Sequence, residues 1–170
     1  MTGAVVWVTG LPSSGKSTFA CRAVERLRAA GRPTLLLDGD AVRAALEPTP
    51  GYEPRARDAF YRTLARLAAL AAHQGLVAVV AATANRRAHR AFARQAAPRF
   101  VEVFLDVPAA ECEHRDAKGL YARARAGEAG TLPGVGEPYE APDAPELVAS
   151  GGEDAEALET LVGRFLSPAG

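Results

Sequence analysis

One short stretch concentrates groups that could do chemistry: Gly10-Leu-Pro12-Ser13-Ser14-Gly15-Lys16-Ser17-Thr18. It fits G-x-x-x-x-G-K-[ST], the spacing of a phosphate-binding loop. Glycines at 10 and 15 let the backbone turn tightly and point its N–H groups inward as an anion nest. A helix starting here adds the partial positive charge of its N-terminus. Lys16 would reach terminal phosphates, and the Ser17 hydroxyl is the candidate ligand for Mg²⁺. The candidate nucleotide-binding residues are therefore Gly10, Pro12, Ser13, Ser14, Gly15, Lys16, Ser17 and Thr18, with ATP and Mg²⁺ as the expected cofactors.

The flanking sequence supplies the elements such a loop needs. Ala4-Val5-Val6-Trp7-Val8 reads as a buried strand, and apolar positions from Phe19 to Leu27 recur at helical spacing. Gly31 and Pro33 close that helix. Thr34 to Leu37 is a second buried strand, ending in Asp38-Gly39-Asp40. In an open α/β sheet, ligands bind beyond the carboxyl ends of the strands. Asp38 and Asp40 are thereby placed to hold Mg²⁺ through water or to accept the proton of an attacking hydroxyl. The plainer alternatives are a turn residue for Asp38 and a helix N-cap for Asp40. Among 20 basic residues only Lys16 and Lys118 are lysines, which marks Lys118 as a second candidate catalytic group.

With 170 residues, 48% hydrophobic and 24% charged, the chain is expected to be a single domain over 1–170 with a substantial core. Zero net charge gives no footprint for nucleic acid or a membrane surface. No apolar run is long enough to span a bilayer, and the chain enters a strand without a secretory pattern. Cys21 and Cys112 form no metal or disulfide pattern. The expected location is the cytoplasm.

Farther along, a helical pattern runs from about Pro54 to His73, with Phe60, Leu64, Leu67, Leu70 and Ala71 on one face. Arg57 and Arg62 near its start oppose the helix dipole, so they are either solvated or aimed at an anion. Leu76 to Ala81 is a third strand, a basic helix with Arg86, Arg87, Arg90 and Arg94 follows, and Phe100 to Asp106 is a fourth strand. His73, His89 and His114 form no metal pattern and read as surface or half-buried residues. From Asp116 to Pro145 glycines, prolines and basic residues break the pattern, which suits a mobile lid over approximately 116–145. Leu147 to Ala149 is a final strand and Glu153 to Leu166 a closing helix. The alternation calls for an α/β fold, a parallel sheet of about five strands with helices on both faces.

Several of these stretches together resemble the adenylylsulfate kinase family. The resemblance rests on the phosphate loop, on Leu37-Asp-Gly-Asp40 with Val42-Arg43, on Asp116-Ala-Lys118-Gly119-Leu120-Tyr121, and on Glu137-Pro-Tyr-Glu-Ala-Pro142. It implies a P-loop kinase fold and transfer of a phosphoryl group from MgATP to the 3′-hydroxyl of adenylylsulfate. By position it assigns Asp40, Lys16 and Lys118 to catalysis. It assigns Asp38, Arg43, Tyr52, Arg57, Phe60, Arg62, Ala84, Lys118, Gly119, Leu120 and Leu132 to the acceptor side. Family members often pair as homodimers, and no exposed stripe in the sequence adds to that.

Departures from the family pattern gather on the acceptor side. Ala41 and Phe60 stand where the family has Asn, Ala84 where it has Ser, and Leu132 where it has Phe. Losing an aromatic stack on a base costs about 1–3 kcal/mol. A kinase of another small-molecule alcohol or nucleotide therefore stays open beside an adenylylsulfate kinase. A non-catalytic nucleotide-binding module is the remaining class. Retention of Asp40 and of a basic lid speaks for transfer, and neither lysine follows an Asn as a guanine-reading motif would need.

Overall fold

The apolar runs form a parallel sheet whose central strands are buried on both faces. In the computed structural model, which describes residues 3–116, 118–128 and 132–166, the first is β1 (Ala4–Thr9). The loop leads into α1 (Lys16–Ala29), then β2 (Thr34–Asp38), α2 (Gly39–Ala45) and α3 (Pro54–His73). There follow β3 (Val77–Ala81), α4 (Arg87–Ala96), β4 (Phe100–Leu105) and α5 (Ala109–Arg115). The segment expected to form a lid contains α6 (Leu120–Arg125) and the two-residue strands β5 (Leu132–Pro133) and β6 (Gly136–Glu137). The chain closes with β7 (Leu147–Ala149) and α7 (Ala155–Leu166).

The main sheet has the order β2-β3-β1-β4-β7, parallel throughout, with Trp7 opposite Val80 on one side and Glu102 on the other. Side chains alternate between two cores as the pleat requires. Ala4, Val6 and Val8 join Phe19, Leu27, Leu158 and Leu161 under α1 and α7. Val5 and Trp7 join Phe60, Leu64 and Ala68 under α3 and α4. Central β1 thus delivers its C-terminal end, and the loop after it, into the middle of the molecule. No helix among the described residues is long and apolar enough to cross a membrane.

The core face of α3 keeps Phe60, Leu64 and Ala71 as expected but not the two leucines. Leu67 and Leu70 are exposed, Leu70 by 59%, and the helix buries Arg57, Phe60, Tyr61, Leu64 and a row of alanines. Small alanines let α3 lie close to the sheet and against α4, which rotates the leucines outward. Leu64→Ala is expected to lower stability by about 2–5 kcal/mol, and Leu70→Ala by less than about 0.5 kcal/mol. Urea unfolding midpoints measure both; equal losses would return Leu70 to the core.

Candidate functional site

The phosphate loop is built where β1 meets α1. Thr9 ends the strand with its Oγ1 donating to Thr83 O at 2.6 Å. Ser14 N donates to Leu11 O at 3.2 Å, and Ser13 takes a left-handed φ of 63°. Gly15 has φ 97°, and a Cβ there would lie 2.7 Å from Gly152 N. Glycine therefore serves both its conformation and the close approach of the turn after β7. α1 has no acidic residue in its first turn, so its dipole is left to an outside anion. Ser14 Oγ is buried with no partner, a polar group that a phosphate oxygen fits.

Lys16 folds over this loop. Its Nζ donates to Gly10 O at 3.2 Å and Leu11 O at 2.7 Å. Desolvation pushes its pKa down to about 8, against the attraction of nearby Asp40 and Asp38.

Two carboxylates face the loop from the end of β2. Asp38 is the N-cap of α2: its Oδ1 accepts from Asp40 N at 3.1 Å and Ala41 N at 3.4 Å. The cap role expected for Asp40 thus falls to Asp38, because α2 begins at Gly39, two residues before an Asp40 cap would start it. Asp38 Oδ2 accepts from Ser17 Oγ at 2.5 Å. Two hard oxygens meet there, a donor set that suits Mg²⁺ held largely by phosphate and water. The described residues contain no cluster of three His, Cys, Asp or Glu for a metal held by protein alone. Asp40, freed of capping, forms an ion pair with Lys118. That hydrogen bond raises the pKa of Lys118. The chain's two lysines are therefore both drawn to this one site.

On the acceptor side the expected residues divide. Arg43 is buried, with its guanidinium 4.3 Å from the Tyr52 ring centroid and 3.9 Å from that of Phe60. Its Nη1 donates to Pro50 O at 3.1 Å and Gly51 O at 2.8 Å. Phe60 is thus a buried floor for Arg43, while Tyr52 is 62% exposed. Arg57 is aimed at an anion, one the chain supplies itself: it pairs with Glu137, the two side chains 5% and 10% exposed. Asn85 Nδ2 donates to Glu137 Oε1 at 3.1 Å and to Pro138 O at 3.3 Å, and Arg86 lies 3.8 Å from the same carboxylate. Ala84 is buried at φ 41°, an uncommon conformation held where Arg90 Nη1 donates to its carbonyl at 2.5 Å.

Arg62 is not drawn into this group; it lies over Phe92 on the α4 side, 4.7 Å from the ring centroid. Leu132 is partly buried on the apolar cluster that also takes in Leu11 and Val135. Gly119 and Leu120 form the start of α6, with Gly119 at φ 63°.

Residues the sequence reading missed are Glu137, Asn85 and the pair Asp58–His89. His89 Nε2 meets Asp58 Oδ1 at 2.6 Å, and burial holds the His89 pKa below its ordinary value. His89 is therefore buried, more deeply than the surface or half-buried place expected for it. No local signal announces a bond between residues dozens of positions apart.

A five-stranded parallel sheet with a G-x-x-x-x-G-K-S loop at its central strand and an acidic pair across from it defines a phosphate-loop phosphotransferase. The family model for adenylylsulphate kinase matches residues 2–150. The chain belongs to that family, whose members transfer phosphoryl groups to a hydroxyl acceptor. It is 46% identical over 147 residues to the adenylyl-sulfate kinase of Paraburkholderia xenovorans (strain LB400), covering 86% of this chain and 82% of that protein. It is 40% identical over 153 residues to the adenylyl-sulfate kinase of Synechococcus sp. (strain JA-3-3Ab), covering 90% and 87%. Among solved structures, the Mycobacterium tuberculosis APS kinase CysC in complex with AMPPNP and APS superposes with a TM-score of 0.90 at 37% identity, over 98% of this chain and 99% of that one.

The lowered pKa of Lys16 has a consequence with a definite sign. Between about 8 and the ordinary 10.5, Lys16 holds its proton in the unfolded chain but not in the folded one. Stability from this group therefore rises with pH across that window. A polyphosphate beside Lys16 restores its charge, so ATP binding at about pH 9 is expected to take up close to one proton, and at about pH 6.5 none from this group. Calorimetry in buffers of different ionisation heat measures the uptake, and Lys16→Ala should abolish it.

Proposed function

We propose that this chain is an adenylylsulfate kinase, moving the terminal phosphoryl group of MgATP to the 3′-hydroxyl of adenylylsulfate. The observation that carries the reading is the meeting of Asp40 with Lys118 beside the Ser17–Asp38 pair. It joins a carboxylate at a strand end to a lysine of the lid segment, next to the loop that would hold the donor. The reading includes a single domain over 1–170 with a lid of approximately 116–145, a cytoplasmic location and self-association as a homodimer.

Phosphoryl transfer passes through a loose transition state, so positioning and charge neutralisation dominate. Mg²⁺, when bound, neutralises phosphate charge, with Ser17 and Asp38 as the residues to hold it directly or through water. The loop amides and Lys16 grip the donor phosphates. Asp40 orients the acceptor hydroxyl and takes its proton as the oxygen bonds to phosphorus. Lys118, held beside Asp40, neutralises the moving phosphoryl group. Arg57 meets the acceptor's anionic part by exchange with Glu137, and Tyr52 offers its exposed ring to a planar base.

One observation favours a second reading, a different small-molecule alcohol as acceptor. Arg43 is spent on two carbonyls and two rings, and Arg57 on Glu137. A neutral polyol would need neither cation released.

ATP consumption with adenylylsulfate, with a panel of alcohols and nucleosides, and with no acceptor separates the readings. Turnover at micromolar adenylylsulfate upholds the first; turnover only with another alcohol upholds the second. Asp40→Ala is expected to lower kcat about a hundredfold or more while leaving ATP binding intact, and Lys16→Ala to weaken both. Near-normal turnover of Asp40→Ala would remove Asp40 from the mechanism.

A further inference from the structure

A single phenol ties the lid segment to the phosphate loop. Tyr121, in the first turn of α6, is 2% exposed, and its Oη donates to Pro12 O at 2.9 Å. Pro12 stands at the crest of the loop, between Leu11 and left-handed Ser13. Burial raises the phenol's pKa well above its ordinary value, so it stays a donor at any working pH. The contact is covered from outside: a Cβ on Gly134 would lie 3.2 Å from Leu11 Cδ2 and 4.0 Å from Tyr121 Cε1.

The same segment starts from Asp116, the C-cap of α5, whose N donates to Cys112 O at 3.0 Å. The Asp116 carboxylate accepts from Tyr121 N at 3.0 Å and Ala122 N at 3.1 Å, and its carbonyl accepts from Gly119 N at 2.8 Å. Lys118 lies between the two anchors and reaches Asp40. The reach of Lys118 is therefore set by a strap fastened at Asp116 and at the loop crest.

We propose that Tyr121 is a positioning residue: its bond to Pro12 seats the strap on the phosphate loop, holding Lys118 at Asp40 and keeping water from the transfer site. The inference rests on the phosphoryl-transfer reading above. In productive transfer the acceptor oxygen bonds to the terminal phosphorus, the bridging P–O bond to ADP breaks, and Asp40 takes the acceptor's proton. With the strap unseated, water takes the acceptor's place. Its oxygen bonds to the same phosphorus, the same bond breaks, and ADP, inorganic phosphate and a proton are released.

Tyr121→Phe removes one oxygen and keeps the ring that packs in the core. ADP and phosphorylated product are measured in parallel. The variant is expected to lose about tenfold or more in kcat and to keep its KM for MgATP within about threefold. The share of ADP unmatched by product should rise severalfold. Unchanged kcat and unchanged matching, or a loss confined to the KM for MgATP, overturns the proposal. Asp116→Ala cuts the strap at its other end. Since both act on one element, the double variant should lose little more than the worse single one, and fully additive losses overturn the shared role. ADP release without acceptor keeps the two readings apart. An unaltered protein that ignores adenylylsulfate refutes that acceptor, while a rise in acceptor-free ADP release in Tyr121→Phe still upholds the strap.

Discussion

Charge balance around one edge of the sheet is the constraint on which the rest of the structure depends. The chain gathers Lys16, Lys118, Arg43, Arg57, Arg86 and Arg90 about the ends of its central strands. Like charges this close repel, most of all where water is excluded. Each is held by a group of the chain's own. Lys16 takes the carbonyls of its loop, Lys118 takes Asp40, and Arg57 takes Glu137. Arg90 takes Glu102 at 2.7 Å together with the carbonyls of Ala84 and Glu140. A phosphorylated ligand therefore enters by exchange of partners rather than by filling bare charge. The exchange is affordable at Lys118–Asp40, a well exposed pair. At Arg57–Glu137, both buried, losing one partner costs about 3–5 kcal/mol unless another anion replaces it.

This difference divides the long segment after α5. Its later part is sewn to the turn after β3: Glu140 N donates to Asn85 O at 2.8 Å, Arg87 N to Glu140 Oε2 at 2.8 Å, and Arg87 Nε to Ala141 O at 2.8 Å. Tyr139 adds a hydroxyl contact to Thr9 at 2.9 Å and stacks on Phe104. Among the described residues, the earlier part is fastened to the phosphate loop and the acidic pair through fewer bonds, chiefly those of Tyr121 and Lys118. Local opening is easiest where such anchors are fewest. In the proposed reading, motion of a lid belongs to the stretch that carries Lys118, while the stretch that carries Glu137 behaves as wall.

What was legible in the sequence is what is local or periodic. The phosphate loop is contiguous, the strands are short apolar runs, and the rule that ligands sit beyond strand ends brought Asp38 and Asp40 to the loop before any contact was known. Even there, which carboxylate caps α2 depended on a shift of two residues. The face of α3 was misread because its core side is largely alanine, whose weak hydrophobic signal lost to Leu67 and Leu70. A six-residue helix such as α6 cannot announce itself by period, least of all among glycines. The partners of Arg57 and His89 lie 80 and 31 positions away, and only the fold brings them together.

Phe60 shows how one such substitution propagates. As an aromatic floor it covers one side of the Arg43 guanidinium, Tyr52 lies on it as well, and two carbonyls take its Nη1. Cation–π contacts of this kind are worth about 0.5–2 kcal/mol each, more when desolvated. They make Arg43 a brace for the loop that carries Tyr52 instead of a free cation. An Asn at position 60 would offer hydrogen bonds and no ring, leaving Arg43 free to turn toward an anion. In the proposed reading the acceptor side thus trades a mobile charge for a fixed aromatic surface, and recognises its acceptor by stacking on Tyr52 first and by charge only through the exchange at Arg57.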